Sequence, residues 1–232
     1  MESFNPIEQW QKMGILARGV VILLGGMSIY SLWVIIDRFL AFGKAKRYSL
    51  AFVLALRDRL IKKDLSGAMK LSKAEPQSPI ARVVDSALVE YRDNIDATEK
   101  AGAAASEDFD VIDAVNRAIE RVKEREVANF KKGLGGLASI SSAAPFIGLF
   151  GTVVGIINAF GSMAKSGQGG LGAVSGGISE ALSTTAVGLL VAIPAVMAFN
   201  YFTNWIEGMV VDMNDVGSEL LSYMLREERD AK

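Results

Sequence analysis

Glu180, Thr184 and Thr185 fall together inside a long apolar run, and Thr152 sits in a second such run upstream. An ionised carboxylate in or near hydrocarbon is costly, so Glu180 reads either as a functional acid or as an interfacial residue touching headgroups and water. The sequence leaves both readings open. Glu180 and Thr184 are four apart and share a helix face, whereas Thr185 lies about 140° away at 100° per residue. A single Thr can bond back to its own helix and then means little. Taken with Ser141, Ser142, Asn158 and Ser183, the hydroxyls point to a wetted or partner-facing surface. The other usual tools of catalysis are missing. With no His and no Cys among the 232 residues, the common neutral-pH acid/base, the thiolate nucleophile and the usual zinc ligands are absent. No Gly-Lys-Ser or Gly-Lys-Thr occurs, so a Walker-type phosphate loop is excluded. We therefore expect no enzyme and no cofactor.

The elements that carry these residues are set by charge segregation. Residues 37–132 hold 19 of the 25 basic and 16 of the 26 acidic side chains, while between Gly133 and Ile206 only Lys165 and Glu180 are charged. About 20 apolar residues suffice to cross a bilayer as a helix. Three segments qualify: 15–36, a stretch within 133–164, and 181–206. Arg38, Lys44, Lys46 and Arg47 follow the first, and Lys123, Arg125, Lys131 and Lys132 precede the second, which places the middle region in the cytoplasm. Residues 1–14 and the connection 165–180 are then periplasmic, and 207–232 form a cytoplasmic C-terminal helix. A cleavable signal peptide is disfavoured, because the first apolar run is long and ends in charge. The net charge of −1 gives no footing for nucleic acid.

The predicted fold is thus an all-α integral membrane protein with three spans and long cytoplasmic helical extensions. In the middle region Ile80, Val83, Val84, Ala87, Leu88 and Tyr91 trace one face of a helix that starts at Pro76 and Pro79. Residues 50–71 form another periodic stretch, and 92–96 read as a turn. Phe109, Ile112, Val115, Ile119 and Val122 mark a further helix with no breaker before Gly133, so the second span is expected to continue downward from it. Met209, Met213, Val216, Leu220 and Tyr223 make a heptad-like stripe that should pack on other helices. The basic run Arg57, Arg59, Lys62 and Lys63 reads as a solvated face, with contact to membrane lipid or a partner as the rival.

Small residues in the second and third spans allow close helix approach. Gly151 with Gly155, and Ala144 with Gly148, are spaced as small-xxx-small pairs, and Pro145 and Pro194 permit kinks. A gap follows from this inventory. A proton path needs titratable groups at depth, and this chain has none near mid-membrane. Either it conducts nothing, or a partner supplies the titratable group and this chain supplies the polar wall.

The stretch APFIGLFGTVVGIINAF ending at Phe160 and the stretch GGISEALSTTAVGLLVAIPAVMAFNYF ending at Phe202 resemble the signature of the MotA/TolQ/ExbB proton-channel family, with the TolQ and ExbB branch fitting best. Val154 stands where many members have Trp, and Gly176 where many have Pro. The resemblance implies a ring, expected to be a homopentamer, around a dimer of single-span ExbD- or TolR-like partners that each carry an essential Asp. It further implies a TonB- or TolA-like periplasm-spanning protein as the recipient of the work, and a place in the bacterial inner membrane. By the same resemblance Thr152 and Thr185 line the ion path with Thr184 beside them, and Glu180 matches the family's acid. Protons are the expected ion, with sodium open because adjacent Thr184 and Thr185 offer oxygen ligands. A non-conducting scaffold that recruits partners through its cytoplasmic helices is the competing reading. A self-contained transporter fares worse, since no inverted repeat is visible.

Overall fold

The computed structural model describes residue 10 and residues 13–101, 111–166 and 171–230. Six helices follow one another: α1 (Ile15–Ile61), α2 (Leu65–Ala74), α3 (Pro79–Ala101), α4 (Val111–Phe130), α5 (Leu134–Ser166) and α6 (Leu171–Asp230). No strand occurs among the described residues. The chain divides into two compact units, one from Met1–Ile36 with Gly133–Phe202, the other from Asp37–Lys132 with Thr203–Lys232. α1 and α6 run without interruption from one into the other.

The first unit is built for hydrocarbon. α1, α5 and α6 each contain a stretch long and apolar enough to span a bilayer, and a helix is one of two structures that satisfy every backbone polar group there. The outward side chains are apolar: Ile22, Ile29, Trp33, Phe146, Ile157, Leu190 and Met197 are each more than 60% exposed. In water such a surface would drive aggregation, whereas in lipid it is the solvated face. The protein is an all-α membrane protein with three membrane-spanning helices. α5 and α6 continue through Pro145 and Pro194. α6 begins at Leu171, within the segment expected to connect the second and third spans.

The second unit carries most of the charge and buries its apolar stripes between helices. The predicted α3 stripe is buried, with Val83, Val84 and Ala87 at 0% exposure, and it faces Ala114, Val115, Ala118 and Ile119 of α4. Ser78 caps α3 by accepting from the Ala81 N–H at 3.1 Å, with Pro79 at the first helical position. The C-terminal stripe is buried too, and it ends on Met224 rather than Tyr223 as the most enclosed residue. Phe42, Phe130 and Trp205 form an aromatic cluster, with Phe42 stacked on Trp205 at 4.1 Å between centroids. The basic run is exposed and matched by acids: Arg57 with Glu219, Arg59 with Asp64, Lys63 with Glu227.

Three expectations are corrected. Residues 92–96 are not a turn but part of α3. Asn94, a turn-former by type, donates instead to the Glu90 carbonyl at 2.7 Å, while Leu88 and Tyr91 on the other face are held by packing. The stretch 50–71 is two helices, broken where Lys63 adopts φ 52° and Asp64 caps α2 through the Gly67 N–H at 2.8 Å. The second span does not continue from α4. Gly133 takes φ +81° and ends that helix, a conformation open to glycine and costly to other residues, and α5 restarts after it. Phe109 lies outside the described residues.

A candidate ion-path seam between two membrane helices

α5 and α6 meet along a face made of small residues. A Cβ added to Gly148 would lie 2.9 Å from the Thr184 carbonyl oxygen, one on Gly188 would lie 2.6 Å from the Ala144 oxygen, and one on Gly155 would sit 2.8 Å from the Ala181 Cβ. Further along, Gly177 faces the Ala159 Cβ at 2.5 Å. Backbones can approach this closely only because these positions lack bulk. Gly148, Gly151 and Gly155 lie along this seam. Gly177 and Gly188, which complete it on α6, were not singled out from the sequence. Their signal was there: Gly177, Ala181, Thr184 and Gly188 step by four, three and four, which is helical spacing.

At the centre of the seam three hydroxyls meet two carbonyls. Thr152 Oγ1 lies 3.0 Å from the Ala181 carbonyl oxygen on the opposite helix, and Thr184 Oγ1 lies 3.2 Å from the Gly148 carbonyl oxygen, also opposite. The arrangement is reciprocal. Each Thr also reaches back to its own helix, Thr152 to Gly148 at 3.2 Å and Thr184 to Ala181 at 2.7 Å. Thr185 closes the cluster through a hydroxyl–hydroxyl hydrogen bond with Thr152. A hydroxyl has one hydrogen to donate and two lone pairs to accept with, so Thr152 can donate to a carbonyl while accepting from Thr185, or donate to Thr185 instead. Thr184 is fully buried and Thr152 is 8% exposed, whereas Thr185 is half-buried. Adjacent in sequence, Thr184 and Thr185 are thus differently placed: Thr184 faces main-chain carbonyls between the helices, and Thr185 offers the more open hydroxyl.

Glu180 is not part of this cluster. Its Oε1 accepts from the Gly14 N–H at 2.7 Å, just before α1 begins. A carboxylate there satisfies one of the unpaired N–H groups that open every helix and complements the positive end of its dipole. Glu180 also lines a cavity of about 390 Å³ with Gly14, Ala17, Gly151, Asn158 and Ser162. Pro145 is half-buried and Pro194 exposed, neither bonded into the hydroxyl cluster. No group of acidic residues able to hold a metal ion occurs among the described residues. The seam can therefore hold and re-orient hydrogen bonds, but no Asp or Glu is among its members.

Comparison with known proteins identifies the family. Residues 57–215 match the model of the MotA/TolQ/ExbB proton channel family. The chain is 34% identical over 212 residues to the biopolymer transport protein ExbB of Neisseria meningitidis serogroup A, covering 90% of this chain and 92% of that one. It is 39% identical over 145 residues to ExbB of Pseudomonas putida, covering 62% of this chain and 42% of that one. A third similarity, to the Tol-Pal system protein TolQ of Pseudomonas aeruginosa, is 45% identity over 93 residues, 40% of each chain. With three apolar helices, a seam of small residues bearing hydroxyls, and similarity over nearly its full length, the chain belongs to the MotA/TolQ/ExbB proton channel family.

Proposed function

We propose that the chain is the ring subunit of an inner-membrane motor that couples ion flow, by preference proton flow, to mechanical work on the cell envelope. The observation that carries this reading is the Thr152–Thr185 hydroxyl pair, held at a bilayer-spanning seam that has no titratable group of its own. A wall of hydroxyls without an acid suits a shared path in which a single-span ExbD- or TolR-like partner brings an Asp. Thr185, the more open of the two, would meet the partner, and Thr152 would hold its orientation. The N-terminus lies in the periplasm, and the charged unit with the C-terminus lies in the cytoplasm, as the Lys and Arg at the span ends favour. Several copies surround the partner, and a TonB- or TolA-like protein receives the work.

The test is reconstitution of the co-expressed chain and partner in liposomes, with internal pH followed under an imposed potential. Proton entry should require the partner and should vanish in Thr152→Val plus Thr185→Val while the complex stays assembled. Flux under a sodium gradient alone would replace the proton with sodium. If an assembled complex passes neither ion and the double variant still works in cells, the chain is a scaffold and the motor reading fails.

A further inference from the structure

The second unit buries its apolar stripes, yet a line of large apolar side chains on α1 stays outside. Leu50, Leu54 and Ile61 are each more than 60% exposed, and their steps of four and seven put them on one helix face. Arg47 stands at the head of that line with Lys44 and Lys46 beside it, all exposed. One exposed leucine needs no explanation, whereas a line at helical spacing bordered by charge marks a contact surface. A second exposed line runs down α6 through Val211, Asp215, Ser218, Ser222 and Leu225, with Glu207 and Asp212 exposed near its head. Among the described residues, none of Lys44, Lys46, Arg47, Glu207, Asp212 and Asp215 has an ion-pair partner.

The two lines complement each other in charge and in size. The α1 line is basic at its head and carries long aliphatic side chains, while the α6 line is acidic at its head and has small Ser218 and Ser222 at its middle. Their heights match as well. Within the chain Phe42 stacks on Trp205, Arg57 pairs with Glu219 at 3.5 Å and Lys63 pairs with Glu227 at 2.9 Å. Each tie joins residues about 163 apart in sequence, so α1 and α6 run side by side in the same sense. Copies inserted in one bilayer in one sense are related by rotation about the membrane normal, which preserves height. At equal height Lys44 meets Glu207, Leu50 meets Val211 and Ile61 meets Leu225. Setting α1 against α1 of the next copy would instead bring Lys44, Lys46 and Arg47 onto themselves, and like charges in contact repel.

We propose that the exposed α1 line of the second unit docks onto the exposed α6 line of the next copy of this chain. The contact joins two different faces, and a contact of that kind repeats around a closed ring. It rests on the ring reading above and names the surfaces through which copies meet outside the spans.

The chain contains no cysteine, so introduced thiols report without background. Two differently tagged full-length copies, one carrying Leu50→Cys and the other Val211→Cys, are co-expressed and oxidised in the membrane with copper phenanthroline. A disulfide-linked dimer bearing both tags is expected, and neither variant expressed alone should form one. Because the two thiols sit on separate copies, a link within one chain cannot imitate the result. Lys44→Glu on the first copy should lower the mixed-dimer yield about fivefold, and Glu207→Lys on the second should restore it. The size of the assembly in detergent is measured in parallel by light scattering. Copies that assemble but give no mixed dimer, or that link through Leu50→Cys alone, overturn the docking surface and leave the ring reading standing. A monomer by light scattering overturns both.

Discussion

Thr184 and Glu180 look like equals in the sequence, two polar groups four residues apart on one helix face, yet they do different work. Thr184 donates toward main-chain carbonyls between α5 and α6, and Glu180 accepts from the backbone that opens α1. The second role gives a sharp expectation. Glu180→Gln keeps an oxygen for the Gly14 N–H and should leave thermal stability nearly unchanged, whereas Glu180→Leu should cost about 1 kcal/mol by leaving that donor unmatched. Unfolding of the two variants in one detergent decides it, and equal losses would mean that the charge rather than the acceptor matters. In the second unit Asp64 behaves as a cap. The Gly67 N–H, then the Ser66 hydroxyl and the Arg59 guanidinium, hold its carboxyl below the ordinary value of 3.8. Its contribution is complete above that value and is lost as pH falls below it through the lowered one. Asp64→Asn should therefore flatten the acid limb of α2 unfolding, followed by helicity between pH 5 and pH 2. The residue types at all these positions were legible in the sequence. Their partners were not, because a hydrogen bond from residue 14 to residue 180 leaves no trace in local spacing.

Among the elements, glycines separate cleanly into those that make room and those that do not. Gly148, Gly155 and Gly188 sit where a Cβ would collide with backbone or a packed methyl of the facing helix, whereas Gly208 in α6 has open space around it. Gly155→Leu should destabilise the pair by about 1–3 kcal/mol. Gly208→Ala should instead stabilise by about 0.5–1 kcal/mol through helix propensity, and the opposite signs are measurable in one denaturation series. Gly133→Ala adds strain at φ +81° and a Cβ 2.9 Å from Val34 Cγ1, so it too should destabilise. Helix boundaries were the least legible feature for a related reason. The α4 to α5 break rests on one positive φ, and α3 passes through Arg92, Asp93 and Asn94 because Leu88 and Tyr91 are buried, a tertiary effect that overrides local turn preference. The apolar stripes of α3 and α6, by contrast, were readable directly from their period.

Over the whole molecule, large apolar side chains are turned outward along the spans of one unit, whereas the apolar stripes of α3, α4 and the C-terminal part of α6 in the other are turned inward. Trp33 reports on the first sense, since it is 64% exposed on α1 within the apolar unit, whereas Trp205 is stacked on Phe42 in the other. In a variant that keeps Trp33 as its only tryptophan, brominated acyl chains should quench the fluorescence strongly. A variant keeping only Trp205 should be quenched much less. Comparable quenching of both would contradict the assignment of the lipid-facing surface. This division was visible in the charge distribution alone, because nothing but a change of solvent explains long neutral stretches flanking a region that holds most of the charge.

The α5/α6 seam carries one more implication. Where small residues face small residues for several turns, there are no knobs to choose among neighbouring registers, and a shift of one helical turn would again set small against small. Steric fit alone makes such a contact smooth. The crossed bonds from Thr152 to the Ala181 carbonyl and from Thr184 to the Gly148 carbonyl are directional, and they act as a detent that selects one axial setting on an otherwise slippery track.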